Sequence, residues 1–233
     1  MLVNNRTGKS AQMALITIFL FAGESAMSYE QPDYTVVYTD GDVEYRQYEP
    51  YLVSETVIRN ADGYKDAGNE GFRRLFRYIT GANKSQAKVA MTAPVQQAPS
   101  QKQGEKISMT VPVQQAESSE GWKVAFMLPT EFTLETAPVP TDERVYIREV
   151  PGRLMAVNKF SGRWTEANYL KNEAELRKNL DAENVSATGA MERAAYDAPY
   201  ILPFMRRNEV MVAVNRLPQT AAVEASVQQL VLD

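Results

Sequence analysis

The chain has no cysteine and no histidine among its 233 residues. It therefore cannot form disulfides, zinc sites of the Cys/His type, or the Ser-His-Asp and Cys-His systems that activate a nucleophile. The chemistry left to it belongs to carboxylates, lysine, arginine, tyrosine, hydroxyls and methionine, and none of these side chains has an ordinary pKa near neutrality. These absences favour ligand binding over catalysis.

An excess of positive charge is also absent. Lys and Arg together number 25 against 29 Asp and Glu, which gives a formal net charge of -4. A chain without a basic field lacks the attraction that draws proteins to phosphate backbones, so no nucleic-acid partner is expected. With 44% hydrophobic residues, the chain is long enough to bury a substantial core in one large or two small domains.

The N-terminus has the three regions of an export signal. Arg6 and Lys9 precede the apolar run "MALITIFLFAG", and Ala26 and Ser28 follow as small residues. The pattern predicts a signal peptide over residues 1–28, cleaved near Ser28, and a periplasmic or secreted protein. Alternatively, these residues form a disordered tail with no export function, and the protein would then be cytoplasmic. The apolar run is too short to span a bilayer, so no permanent membrane anchor is expected.

Two periodicities follow the leader. Residues 43–58 are rich in Val, Tyr and Thr and predict a strand that bends at Pro50. Over residues 69–81 the spacing changes to i, i+3, i+4 and i+7, which predicts a helix with one apolar face that ends at Gly81. The apolar residues at these positions are Phe72, Leu75, Phe76 and Ile79.

One phrase occurs twice in the chain. "KVAMTAPVQQ" at 88–97 and "KISMTVPVQQ" at 106–115 agree at seven of ten positions and are separated by a polar segment. They predict a two-stranded hairpin in which the copied arm pairs with the first. Because proline has no N–H for the ladder, each strand should be interrupted, or lie at a sheet edge, near Pro94 and Pro112.

The second half resembles the first in its order of elements. A strand is predicted at 122–129, then a strand over 145–160, a helix over 166–184, and strands near 187–196 and 209–214. We therefore expect two pseudo-symmetric β-α-β-β repeats, at about 34–128 and 144–214. Their strands would form one distorted antiparallel β-barrel flanked by two helices, an α+β fold. The tail at 217–233 has no assigned role.

The stretch "GFRRLFRYITGANKSQAKVAMTAPV" resembles the signature of the SOUL or heme-binding protein family, and the resemblance continues in "WKVAFMLPTEF" and "YDAPYILPFMRRNEV". It covers roughly residues 34–214, within a single SOUL-like domain at 29–216. The family fold is the barrel of two repeats inferred above.

The resemblance implies noncovalent binding of heme or a related tetrapyrrole in an apolar cleft between the first helix and the loop before the last strand. Any other flat apolar small molecule would suit the same cleft. Carried onto this chain, the heme-binding residues are Arg73, Phe76, Ile79, Tyr200, Leu202 and Phe204. The candidate propionate contacts are Arg74, Arg77 and Arg206. Some family members place a lysine near the propionates where this chain has Leu202.

Iron ligation is expected to be loose or absent, because protein ligands to heme iron are usually His, Cys, Met or Tyr and the first two are missing. The methionines Met91, Met109 and Met205 are weak candidates, since methionine more often fills gaps in cores. Binding should then show little preference for iron over a metal-free porphyrin.

Two other interpretations stay open at this point. One is a small-molecule enzyme or ligand sensor on the same double-repeat fold, with Glu70, Glu149 or Glu209 as the acid, although surface solvation is the better explanation for each of them. The other is a protein-interaction module whose pocket is closed by its own side chains. The predicted helix also has a purely structural interpretation. Its apolar stripe would pack against the sheet, and its arginines would form a solvated face.

Overall fold

The computed structural model describes residues 29–85 and 104–221. Eleven strands, two α-helices and a short 3-10 helix occur in this part of the chain. In chain order they are β1 Tyr34–Asp40, β2 Val43–Tyr48, β3 Tyr51–Ile58, α1 Tyr64–Ile79, β4 Asn83–Lys84, β5 Val113–Ser118, β6 Gly121–Met127, β7 Val139–Pro140, β8 Val145–Val150, β9 Arg153–Phe160, α2 Glu166–Ala182, β10 Glu192–Ala195, the 3-10 helix Pro203–Met205 and β11 Asn208–Ala213.

Nine of the strands form one antiparallel sheet in the order β1-β2-β9-β11-β10-β5-β6-β3-β8. The order β3-β6-β5 on one side matches β9-β11-β10 on the other, and β5 pairs with β10 in the middle. Strand β2 pairs with β9, whereas β8 pairs with β3, so each half lends a strand to the other. Strands β2 and β3 lie near opposite ends of this order, yet only two residues connect them. The two ends of the sheet must therefore be close in space, which requires the sheet to curl. The α+β fold with a curled antiparallel barrel is confirmed.

Alternation along the strands gives the sheet two faces. Met127 on β6 belongs to an apolar cluster made of strand residues alone, which fills the inside of the curl. Its neighbour Phe126 packs with α1 in a second cluster, and Ala156 on β9 packs with α2 in a third. Gln115 of β5 contacts α1 while its cross-strand partner Arg193 contacts α2. Both helices therefore lie on the outer face of the same sheet.

Several predicted elements are found with changed boundaries. Helix α1 begins at Tyr64, earlier than predicted, and ends before Gly81, whose φ of 122° suits a glycine terminator. The break predicted at Pro50 separates β2 from β3. The single strand predicted over 145–160 is wrong, because it is interrupted at Pro151, which has no N–H for the ladder.

The second copy of the repeated phrase is not the arm of a hairpin along β5. Strand β5 starts only after Pro112, and its two edges are occupied by β6 and β10. A strand has no third edge, so the predicted ladder with the first copy cannot form there.

Some predictions lie outside the described residues. They are the leader at 1–28, the first copy of the phrase with Met91 and Pro94, and the tail from 222 onward. Across 29–85 and 104–221, neither α-helix combines the length and apolar character needed to cross a bilayer.

Candidate ligand-binding site

The apolar stripe predicted on α1 divides into two parts. Leu75 and Ile79 are buried in the cluster between α1 and the sheet, and so Ile79 offers no surface to a ligand. Phe72 and Phe76 remain 38% and 42% exposed and stack on each other, with ring centroids 5.7 Å apart. Phe72 also contacts Phe126 of β6 edge to face. Helix α1 thus presents a rigid aromatic flank beside the sheet.

The loop at 196–207, between β10 and β11, has an exposed apolar tip. Tyr200 is 80% exposed, Leu202 55%, Phe204 73% and Met205 66%. Leaving four large apolar side chains in water is unfavourable, and such a cluster usually marks a binding surface. Three of these residues are predicted heme contacts.

Strand register places the loop near the aromatic flank of α1. On the outer face, Val113 of β5 pairs with Phe126 on one side and with Ala195 on the other. Adjacent strands lie about 4.8 Å apart, so roughly 10 Å separates the backbone of Phe126 from that of Ala195, where the loop begins. Phe126, which Phe72 contacts, and Ala195, which precedes the loop, therefore lie on the outer face on either side of a single strand.

The loop is held in shape by its own arginine. Arg206 donates from Nε to the Ile201 carbonyl (2.8 Å) and from Nη2 to the Pro199 carbonyl (2.6 Å), and its guanidinium lies 4.3 Å from the Trp164 ring centroid. The Pro203 carbonyl accepts from the backbone N–H of Gly162. Arg206 therefore maintains the loop with two of its donors, a role that the sequence does not reveal. Trp164 lies close enough to report on a ligand there.

The arginines of α1 differ in how many hydrogen bonds hold their side chains. Arg74 donates to Glu70 at 2.8 Å and to Thr56 and the Val57 carbonyl of β3, on the flank away from the phenylalanines. Arg73 pairs with Glu70 at 2.7 Å but is 67% exposed. The hydrogen bonds from Arg73 and Arg74 hold the pKa of Glu70 below its ordinary value. Among the described contacts, the Arg77 side chain donates only to the Arg73 carbonyl, so Arg73 and Arg77 have more donors left for an anionic group than Arg74 has.

Two grooves of about 720 and 550 Å³ lie on that other flank of α1. Charged side chains dominate their walls: Arg74, Glu143 and Arg144 line both grooves, Arg73 also lines the larger and Arg77 the smaller. Arg73 and Arg77 therefore lie between the aromatic flank and the grooves. The Asp142–Arg144 pair holds the pKa of Asp142 at about 2. The polarity of the grooves does not match a flat apolar ligand. We therefore assign the candidate site to the aromatic flank and the loop rather than to the larger concavities.

The sulfur candidates are dispersed. Met109 is partly buried against the cluster under α1, Met205 is exposed on the loop, and Met91 lies outside the described residues. Within 29–85 and 104–221, no group of three or more His, Cys, Asp or Glu side chains could hold a metal ion.

The candidate acids also differ. Glu70 is engaged by Arg73 and Arg74, and Glu149 is exposed. Glu209 is fully buried, with Arg46 and Arg207 as partners. The interpretation of Glu209 as a solvated surface group is thus wrong, because its place on β11 points it into the barrel.

Comparison with known proteins identifies the family. The family model described as SOUL heme-binding protein matches residues 29–213. The chain belongs to the SOUL heme-binding protein family. The match includes α1, the curled sheet and the loop of the candidate site.

SOUL relatives with curated names are similar over most of the chain. Heme-binding protein 1 of Xenopus tropicalis is 27% identical over 172 residues, covering 74% of this chain and 83% of its own. The protein of the same name from Mus musculus is 28% identical over 145 residues, covering 62% and 70%.

Among solved structures, the C-terminal domain of EcmrR superposes with a TM-score of 0.53 at 9% identity, covering 79% of this chain and 99% of that domain. At this identity the likeness shows the fold alone. A hydrolase from Listeria innocua gives a TM-score of 0.47 at 14% identity, covering 76% of this chain and 94% of its own, which is too distant to bear on chemistry.

Proposed function

We propose that the protein binds heme or a related tetrapyrrole noncovalently between the aromatic flank of α1 and the loop at 196–207, and serves as a carrier or buffer. The observation that carries this proposal is the exposed apolar surface on both sides of β5, formed by Phe72 and Phe76 on one side and by the tip of the loop on the other. A flat macrocycle would cover both groups at once.

The contacts support binding through the macrocycle rather than through the metal. The aromatic rings and Leu202 would contact the faces of the ligand, and the exposed Arg73 and Arg77 would lie near its propionates. The predicted leader would place this activity in the periplasm or outside the cell. Met205 and Tyr200, both on the exposed loop, are the nearest groups that could contact an iron.

The test is a titration of the purified protein with hemin and, separately, with metal-free protoporphyrin, followed by absorbance and by Trp164 fluorescence in a Trp122→Phe background. We expect saturable binding of both with similar affinity, and a hemin spectrum close to that of free or water-ligated hemin. No saturable binding of either compound, or a low-spin six-coordinate spectrum, would contradict the proposal.

A variant with Phe76→Ala and Arg73→Ala should weaken binding of both compounds at least tenfold. Burial of a phenylalanine contributes about 1.5–3 kcal/mol, and about 1.4 kcal/mol is tenfold in affinity. The matched control is Leu170→Ala with Arg177→Ala on α2, which removes an exposed apolar group and an exposed arginine away from the proposed site. The control should bind as the wild type does.

A further inference from the structure

Glu209 is a carboxylate with 0% exposure on the inner face of the sheet. Arg46 of β2 donates to both of its oxygens at 3.0 Å, and Arg207 donates from Nε to Oε1 at 2.9 Å. Tyr196 donates its hydroxyl to Oε2 at 2.7 Å. A buried carboxylate is tolerated only when donors such as these satisfy its charge. Removing Glu209 would in turn leave these donors without their shared acceptor.

Two of these donors stand at the neck of the loop. Tyr196 is its first residue and Arg207 its last, and the Tyr196 N–H donates to the Arg207 carbonyl. The Arg207 guanidinium lies 3.9 Å from the Tyr196 ring centroid, and the Arg207 N–H donates to the Asp197 carboxylate at 2.5 Å. Glu209 therefore binds both ends of the loop, while Arg46 fixes Glu209 to the far strand β2.

We infer that Glu209 is a positioning residue for the ligand loop. It closes the neck through Tyr196 and Arg207, and so sets where Tyr200, Leu202 and Phe204 are presented. The inference rests on the proposed function in that the loop forms one wall of the tetrapyrrole site. Glu209 itself contacts no ligand, since it has no exposed surface.

The fold supplies a matched control. Glu55 on β3 is also buried, with a side chain 3% exposed, and it accepts from Arg148 at 2.6 Å and from Tyr146 at 2.5 Å. All three residues of this control group lie on β3 and β8, remote from the loop. Loss of Glu55 removes a buried carboxylate from its tyrosine and from Arg148, whose side chain is 42% exposed, without touching the neck.

The experiment compares Glu209→Gln with Glu55→Gln in the full chain, using two measurements. The first is the rate of chymotrypsin cleavage after Tyr200 and Phe204 in ligand-free protein; the bond after Leu202 is resistant because Pro203 follows it. We expect this rate to rise about tenfold in Glu209→Gln relative to Glu55→Gln, because hydrogen bonds to a charged group hold the neck. The second is hemin affinity, which should fall about tenfold in Glu209→Gln and stay within about twofold of wild type in Glu55→Gln.

A milder pair covers the case in which the glutamine variants do not fold. Tyr196→Phe removes one bond to Glu209 and leaves both of its arginines paired, and Tyr146→Phe removes one bond to Glu55 and leaves Arg148 paired. Faster loop cleavage only in Tyr196→Phe supports the inference, whereas equal cleavage in both variants overturns it. If wild-type protein fails to bind either porphyrin, the proposed function fails, and the cleavage rates still decide the role of Glu209.

Discussion

At the scale of single residues, the inside of the curled sheet is organised by charges that alternate in sign. Lys159 contacts Glu44, Glu44 contacts Arg46, Arg46 contacts Glu209, and Glu209 contacts Arg207. Burial raises the pKa of Tyr48, which accepts from Arg46, to about 12. Burial and the Glu209 charge also raise the pKa of Tyr196, so both tyrosines stay neutral donors or acceptors within the network.

Glu44 makes stability depend on pH. Partial burial works to raise its pKa, but the hydrogen bonds from Lys159 and Arg46 outweigh burial and leave the pKa below its ordinary value of 4.5. A lowered pKa in the folded state means that Glu44 stabilises the protein above pH 4.5 and that this contribution is lost as the pH falls through the folded value.

We therefore expect Glu44→Gln to lower the free energy of unfolding at neutral pH, and to make its decline below pH 4.5 shallower than in the wild type. Urea unfolding at several pH values measures both effects. Parallel curves for variant and wild type would show that Glu44 has no such role.

The residues of the site were only partly open to prediction. The spacing of Phe72, Leu75, Phe76 and Ile79 identified an amphipathic helix. Spacing alone could not tell which of these side chains the sheet would cover, and Ile79 is covered. Arg206 was predicted to contact a propionate, but it donates to two carbonyls of its own loop. These contacts could not be predicted, because residues five to seven apart in an irregular loop leave no periodic signal in the sequence. Which groups contact a tetrapyrrole stays a prediction.

At the scale of elements, α1 shows why its beginning was missed. Residues 64–71 contain Gly68 and Gly71, which lower helix propensity and hide the periodic pattern. The structure explains Gly71: a Cβ there would lie 2.4 Å from Val124 Cγ2, so only glycine lets the helix approach β6 this closely. Helix α2 was predicted well, because Thr165 caps it and no glycine interrupts it.

This contact predicts that Gly71→Ala is destabilising even though alanine favours helices. The added methyl group meets the stiff, fully buried Val124, and overpacking outweighs the gain in propensity, for a net loss of about 1–2 kcal/mol. Gly68→Ala is the matched control, since its nearest contact is the movable amide end of Gln115. Thermal unfolding should find Gly68→Ala within about 1 kcal/mol of wild type. A greater loss in Gly68→Ala than in Gly71→Ala would contradict this explanation.

At the scale of the whole molecule, the strand exchange between halves was not predictable from local patterns. Periodicity predicted most strands, but not that β2 would pair with β9 and β8 with β3, because pairing depends on distant residues. The same limit applies to residues 113–115 of the second phrase, which were predicted to pair with the first phrase and instead pair, within β5, with β6 and β10. The overall α+β barrel was predictable because the order of strands and helices, and the SOUL signature, agreed.

This topology relates the site to the barrel interior. Strand β10 crosses the centre of the sheet and continues into the ligand loop, which returns as β11 carrying Glu209. In the proposed arrangement, apolar groups on the outer face would contact a macrocycle, while buried charges on the inner face would hold the loop. A site of this kind would hold the porphyrin by its faces and edges, without needing an iron ligand.

The most direct test of this account is an amide chemical-shift map of isotopically labelled protein titrated with metal-free protoporphyrin. The account predicts that the largest shifts cluster at residues 72–77 on α1, 162–164 beside Trp164, and 198–206 on the loop. Shifts concentrated around Arg144 in the polar grooves, or around Glu55 and Arg148 on the inner face, would contradict it, as would the absence of saturable shifts.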